Sequence, residues 1–381
     1  MLGLFDVIKD QLKPKFGSIC IDNWVFKLHY RATCIIFFIA TILVTSREYI
    51  GEHIKCITDM SSPGFEKVIE TFCFFTTTFT VVDDTEMDFF RFGFNGHRGI
   101  LPYGVGSKQP IRKHMYYQWV PFLLFGQAIM FYLTHLFWKK MENNRIHKLV
   151  TGLANSRFAL LDKEVNIDHH SIPTKENKKA CIQRIREEFL QRIRLNKSWA
   201  WWFMFFEVLN VVHVGFQFYV TNKFLGNLFS TLGRDVVQNG SKVLDEVFPK
   251  VTKCTFHKYG PSGSIQVHDA LCIMALNIIN EKIYLFLWFW FMILFGASCL
   301  IVVWRVLSMF LYSRSVGFNQ IIFGHTARGK LYPWHLQMVI KRCNYPDWLL
   351  LRYLSKNMDG LAFKDLFLNI YEELEERKPL F

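Results

Sequence analysis

Apolar residues collect in four long runs. Val25 to Ser46 opens with Lys27, His29 and Arg31 and then continues without a charge from Ala32 to Ser46. Gln118 to Trp138 contains no Asp, Glu, Lys or Arg. Trp199 to Val220 carries one acid, Glu207, behind Trp199, Trp201 and Trp202, and Ile283 to Trp304 is uncharged, with Trp288 and Trp290 inside it and Arg305 closing it. A bilayer core about 30 Å thick takes roughly 20 residues of helix, so each run is long enough to cross one. The cations that open the first run can snorkel to the headgroups on their apolar stems, and the tryptophans of the third form an interfacial belt. Four crossings leave both termini on the same side.

The polar segments between the runs decide which side that is. Residues 139–198 hold 14 basic against 7 acidic residues and residues 305–381 hold 11 against 7, whereas 47–117 hold 8 against 9 and 221–282 hold 7 against 5. Lys and Arg are retained on the cytoplasmic side, so the middle segment and both termini are expected inside. The expected organisation is an N-terminal pore helix or funnel (1–24), spans at 25–46, 118–138, 199–220 and 283–304, outer loops at 47–117 and 221–282, a cytoplasmic loop at 139–198 and a cytoplasmic helical region at 305–381. Composition agrees, since 51% hydrophobic and 17% aromatic residues exceed what a soluble enzyme carries. The net charge of +13 is accounted for by topology and anionic inner-leaflet lipid. No nucleic-acid module accompanies it, so no nucleic-acid partner is expected.

Cysteine placement supports this sidedness. Cys56 and Cys73 fall in the first outer loop and Cys254 and Cys272 in the second, while Cys20, Cys34, Cys181, Cys299 and Cys343 fall in spans or inside. An oxidising exterior favours disulfides, so two bridges are expected, and four cysteines allow three pairings that spacing does not separate. Cys254, His257, His268 and Cys272 also have a spacing compatible with tetrahedral zinc. That reading would leave free thiolates in an oxidising compartment, so no metal and no cofactor are expected. Asn239-Gly240-Ser241 is a glycosylation acceptor on the outer side; the same pattern at Asn196 lies inside, where it cannot be used.

At the start of the chain, Leu4, Phe5, Ile8 and Leu12 recur at helical spacing opposite Asp6, Lys9, Asp10 and Lys13. This is an amphipathic helix with a wet face, suited to a pore mouth or to lying on the inner leaflet. Met1 to Lys15 lacks the apolar core of a cleaved leader, and Met1-Leu2-Gly3 does not fit a myristoylation signal. Glu207, His213 and His135 are ionisable groups within spans and hence functional candidates, against the plainer reading of polar groups satisfied inside the bundle. Enzyme chemistry finds no support. Gly324 to Leu331 reads as a phosphate loop except that Leu331 stands where magnesium needs a hydroxyl, and the histidines show no metalloprotease or triad order.

Tyr116-Tyr117-Gln118-Trp119-Val120-Pro121, at the start of the second run, resembles the signature of the innexins, the invertebrate gap-junction proteins. Lys253-Cys254-Thr255-Phe256, Gly260-Pro261-Ser262-Gly263-Ser264, His268-Asp269 and Asn280-Glu281-Lys282 before Phe286-Leu287-Trp288-Phe289-Trp290 resemble that family's second outer loop and fourth span. The stretch Asp347-Trp348, Lys356-Asn357 and Phe363-Lys364 resembles its helical end. The chain departs from the family at Phe131-Tyr132-Leu133-Thr134-His135, where many relatives carry a proline, and in a short acidic end with Glu372, Glu373, Glu375 and Glu376, read as a solvated helix face.

The resemblance implies an all-α four-helix membrane subunit in a cyclic large-pore channel, an octamer, with a disulfide-tied outer domain of small β content and a helical cytoplasmic domain. It implies bridges Cys56–Cys272 and Cys73–Cys254, and a pore mouth lined by Met1, Leu2, Gly3, Leu4, Phe5, Asp6 and Asp10. Implied partners are identical subunits, an opposing ring on a neighbouring cell and other innexins. The implied activity is passage of ions and small molecules through a gap junction or hemichannel. The alternatives are a non-docking, pannexin-like channel and, further off, a membrane transporter or enzyme.

Overall fold

The computed structural model describes residues 22–50, 54–58, 63–76, 78–81, 110–143, 145–150, 165–167, 170–172, 175–191, 193, 197–240, 242–327 and 331–376. Among the described residues, four helices are long and apolar enough to cross a membrane, over Trp24–Glu48, Tyr116–Glu142, Lys197–Phe224 and Ala275–Arg314. The first is made of α1 (Trp24–Lys27), a π-helical turn (Leu28–Thr33) and α2 (Cys34–Ile50). Asn23 caps it, accepting the Phe26 N–H at 2.8 Å and so satisfying one of the unbonded donors of a helix start. The second begins as a 3-10 turn (Tyr116–Trp119) and becomes α4 (Val120–Glu142). The third is α7 (Lys197–Phe224) and the fourth α10 (Ala275–Arg314).

Helix α10 exceeds its apolar run at both ends. Forty residues at 1.5 Å rise make a rod of about 60 Å, roughly twice the hydrocarbon thickness. Hydropathy locates where a helix is apolar, not where its hydrogen-bond ladder stops. The residues before Ile283 and after Trp304 have ordinary helix formers and no proline, so the ladder continues through them.

Contacts divide the chain into two compact units. One comprises Thr33–Phe131 and His213–Phe295. It contains β1 (Lys55–Ile57), α3 (Pro63–Thr76), β2 (Thr78–Val81), β3 (Ile111–His114), α8 (Phe229–Asn239), α9 (Lys242–Val247), β6 (Val251–Tyr259) and β7 (Ile265–Ile273). The strands form one antiparallel sheet in the order β1-β7-β6-β2-β3, so strands from both interhelical loops share it. Its backbone is the long β6–β7 hairpin, which pairs Val251 with Ile273 through Tyr259 with Ile265. The connection turns where Gly263 adopts φ +77°, open to glycine without strain.

The other unit comprises Met1–Ala32, Tyr132–Val212 and Gly296–Phe381. It contains α5 (Arg145–Val150), a small hairpin of β4 (Val165–Ile167) and β5 (His170–Ile172), α6 (Lys175–Gln191), α11 (Val316–Gly324), α12 (Pro333–Arg342), α13 (Tyr345–Asn357) and α14 (Gly360–Glu376). Its core gathers Phe26, Trp138, Ile182, Phe189, Phe203, Trp348 and Phe363. Trp348 stacks on Phe318 and donates its indole N–H to Asn319 at 2.8 Å, so the largest ring of α13 is buried with its polar atom satisfied. The β4–β5 pair adds strand to a region expected to be cytoplasmic and helical.

One expectation for the first span needs correction. His29 does not snorkel: it is 1% exposed, and its Nε2 lies 2.7 Å from the Ser298 hydroxyl. An imidazole on a short stem cannot reach the headgroups as Lys27 can, so it finds a partner within the bundle instead.

Candidate functional site

The four cysteines of the interhelical loops converge on the sheet. Cys56 on β1 bonds to Cys272 on β7, directly opposite it in the strand register. Cys73 on α3 bonds to Cys254 on β6. These are the partners that the resemblance implies. Each bridge joins the loop after the first span to the loop before the fourth, across 216 and 181 residues of sequence. All four cysteines are at most 1% exposed, and the sulfurs of Cys56, Cys73 and Cys272 lie within 4.8 Å of one another. With both C-x-x-H and H-x-x-x-C sulfurs committed to bridges, no thiolate is left for zinc. The sheet also parts the histidines: Phe256 pairs with His268 and His257 with Val267, so the two imidazoles fall on opposite faces.

Helix α3 seats on the sheet through Phe65 and Phe72, whose rings meet Phe256 edge-on at 5.6 and 4.9 Å. The signature residues fasten the second span to the same place. The Tyr117 hydroxyl donates to the Phe74 carbonyl at 3.0 Å, and the Gln118 amide donates to that same carbonyl. Tyr116 donates to the Val247 carbonyl at 3.4 Å and packs edge-on to Phe248, whose ring stacks on Tyr284. Tyr117 and Val120 are fully buried, while Trp119 is 62% exposed. The signature is therefore a structural clasp beside Cys73, and it presents no group to a pore through its buried members.

Two further groups hold the sheet. His114 on β3 is buried, with Nε2 2.8 Å from the Thr80 hydroxyl. Burial, reinforced by the Arg112 guanidinium, lowers its pKa to about 4. Lys250, just before β6, lies 2.9 Å from Asp245 and 3.1 Å from the buried Glu281 of α10. The hydrogen bond to Asp245 is the main cause that raises the Lys250 pKa, with Glu281 adding to it. Asn239 ends α8 as an exposed residue, followed by Gly240 at φ +75°.

The intramembrane candidates all find partners inside the bundle. Glu207 accepts from Arg305 through both carboxylate oxygens, at 2.7 Å each, and from the Asn23 amide at 2.7 Å. His213 Nε2 meets Gln217 at 3.0 Å, beside the Phe131 ring. His135 stacks on Tyr30 and lies 3.8 Å from Asp22. Sequence reasoning missed the Asn23 partner of Glu207, whereas Arg305 closes the fourth run as the cation that an acid within an apolar helix demands. Met1, Leu2, Gly3, Leu4, Phe5, Asp6 and Asp10 lie outside the described residues.

The model of the family described as Innexin matches residues 22–374. The chain is 44% identical to innexin inx7 of Drosophila melanogaster, over 98% of this chain and 85% of the relative. It is 38% identical to innexin inx2 of the same fly, over 98% and 96%, and 37% identical to innexin inx2 of the grasshopper Schistocerca americana, over 99% of each. With four membrane-length helices and two bridges joining its loops in one sheet, the chain belongs to the innexin family, whose members are the channel subunits of gap junctions.

Proposed function

We propose that this multi-pass plasma-membrane gap-junction protein works as a ring of identical subunits, eight by family resemblance, that docks with an opposing ring on a neighbouring cell and also opens as a hemichannel. It is a channel subunit and not an enzyme. The observation that carries the docking reading is the pair of bridges tying both loops into a single sheet. A surface that must meet its copy in register has to present the same geometry in every subunit, and crosslinked strands supply that uniformity. The basic excess of 139–198 and 305–381 supports cytoplasmic termini, which leaves the sheet outside, where its bridges are stable. Sequence and resemblance assign Met1 to Asp6, with Asp10, to the pore mouth, where rings of carboxylates favour cations. Other innexins are candidate co-subunits.

Paired cells expressing the protein test this directly, because a small dye should pass from one cell to its neighbour. Purified particles in detergent should appear as rings, some of them face to face. A second reading, a pannexin-like channel that never docks, is favoured by one observation: Asn239 is exposed and heads an intact acceptor sequence. A glycan there would stand in the way of an opposing ring. Dye uptake by single cells without transfer, together with an endoglycosidase-sensitive mobility shift lost in Asn239→Gln, would establish that reading. Absence of both uptake and transfer would return the transporter.

A further inference from the structure

We propose that the buried Glu207–Arg305 pair is a coupling element for channel opening, with Asn23 and Tyr345 as the positioning residues that connect it to the first span and to the C-terminal helices. Four separate parts of the chain meet there. Glu207 comes from α7 and Arg305 from α10; Asn23 caps the first span, and Tyr345 is the first residue of α13. The guanidinium presents Nε and Nη2 to the two carboxylate oxygens, a bidentate fork. Its Nη1 donates to the Tyr345 hydroxyl at 3.4 Å, and that hydroxyl lies 2.7 Å from the Ser308 hydroxyl. The guanidinium also sits 5.0 Å from the Phe203 ring centroid. Glu207 is 2% and Arg305 6% exposed.

Burial makes the cluster act as one. A desolvated carboxylate or guanidinium that loses a partner has no water to replace it, and removing one member of a buried pair is far costlier than the pair is stabilising. A displacement of any participant is therefore passed to the others. Asn23 has a double duty: its Oδ1 holds the Phe26 N–H while its Nδ2 holds Glu207, so the first turn of the span is oriented by the ion pair. The preceding residue adds a second tie, since Asp22 accepts from the Trp138 indole at 3.0 Å. At the far end, α13 is fixed by a capping box between Asn344 and Asp347 and by the stack of Tyr345 on Trp348. A rigid C-terminal helix thus reaches, through one guanidinium and one carboxylate, the start of the first span. Opening a pore made of helices requires the spans to shift against one another, and a rearrangement of α13 would bias that shift through this cluster.

The inference rests on the channel reading, and wild-type conductance in the same cells tests that reading separately. Full-length chain would be expressed with Asn23→Ser, Tyr345→Phe and both together. Ser retains the helix cap but cannot reach Glu207; Phe retains the ring but loses the hydroxyl. The readout is conductance divided by surface-labelled protein, which a purely structural role would leave unchanged while surface abundance fell. Each single variant should change this ratio by roughly twofold or more, and the double variant should depart from the product of the singles by a similar factor, as coupled sites do. Singles at the wild-type ratio, or a double equal to the product, would overturn the proposal.

Discussion

At the residue scale, close packing and desolvation decide outcomes that propensity alone would misjudge. Gly233 lies within α8, where an alanine would ordinarily stabilise the helix by about 1 kcal/mol. A Cβ at this position, however, would run into the Trp288 indole. Gly233→Ala is accordingly expected to destabilise the protein by roughly 1–3 kcal/mol, the usual range for an overpacked core, read as a lower melting temperature in detergent; an unchanged or raised value would refute the close approach. His114 gives a pH dependence of definite sign. Its folded pKa, near 4, lies below the ordinary 6.5, so the unfolded chain takes up the proton first as pH falls. The stability held by the neutral imidazole is complete above pH 6.5, is lost between 6.5 and about 4, and changes no further below. The whole effect is on the order of 3 kcal/mol. Unfolding followed across that window should show a shallower slope in His114→Gln, and equal slopes would remove the assignment.

At the scale of elements, the bridges carry the clearest consequence. In Cys254→Ala, the released Cys73 thiol is left among sulfurs that lie within 4.8 Å of it, those of the Cys56–Cys272 bridge. Thiolate attack on a neighbouring disulfide would then scramble the pairing. The double variant Cys73→Ala with Cys254→Ala has no attacking thiol and pays only for the lost crosslink, about 2–5 kcal/mol. Non-reducing peptide mapping should find mixed pairings in the single variant and an intact Cys56–Cys272 bond in the double. If the single variant retains that bond alone, exchange does not occur.

These elements differ in how far the sequence reveals them. The four helices are legible because lipid demands an uninterrupted apolar run, and Gln118 to Trp138 meets that demand without one charge. Their ends are less legible, since α10 runs past Ile283 and Trp304 on polar turns that hydropathy does not see. The five-stranded sheet is only hinted at in the sequence, because β1 is short and pairs with β7 some two hundred residues away, and the β2–β3 pair joins the sheet through β6 of that same distant loop. Glu372, Glu375 and Glu376 are exposed as their charge suggests, yet Glu373 is partly buried and reaches Arg186 at 3.6 Å, a long-range contact that no local pattern encodes. Such a partly exposed pair is worth at most about 1 kcal/mol.

At the scale of the whole molecule, a single subunit leaves apolar surface open. Ile39, Phe122, Val212 and Leu300, one from each membrane-length helix, are all more than half exposed. Lipid and neighbouring subunits are the two environments that would cover them, and a ring supplies both. Cyclic symmetry then multiplies every charge at the pore mouth by the number of subunits. In the proposed ring, the two aspartates assigned to the pore mouth, Asp6 and Asp10, would form a band of negative charge, the arrangement that favours cations over anions. Neutralising both, Asp6→Asn with Asp10→Asn, should move the reversal potential under a salt gradient toward the value for a non-selective pore. Conductance should persist, because the change removes charge without adding bulk. A reversal potential identical to that of the wild type would show that these carboxylates do not face the permeation path, and the N-terminal helix would then be assigned to the inner leaflet instead, with its apolar side in lipid.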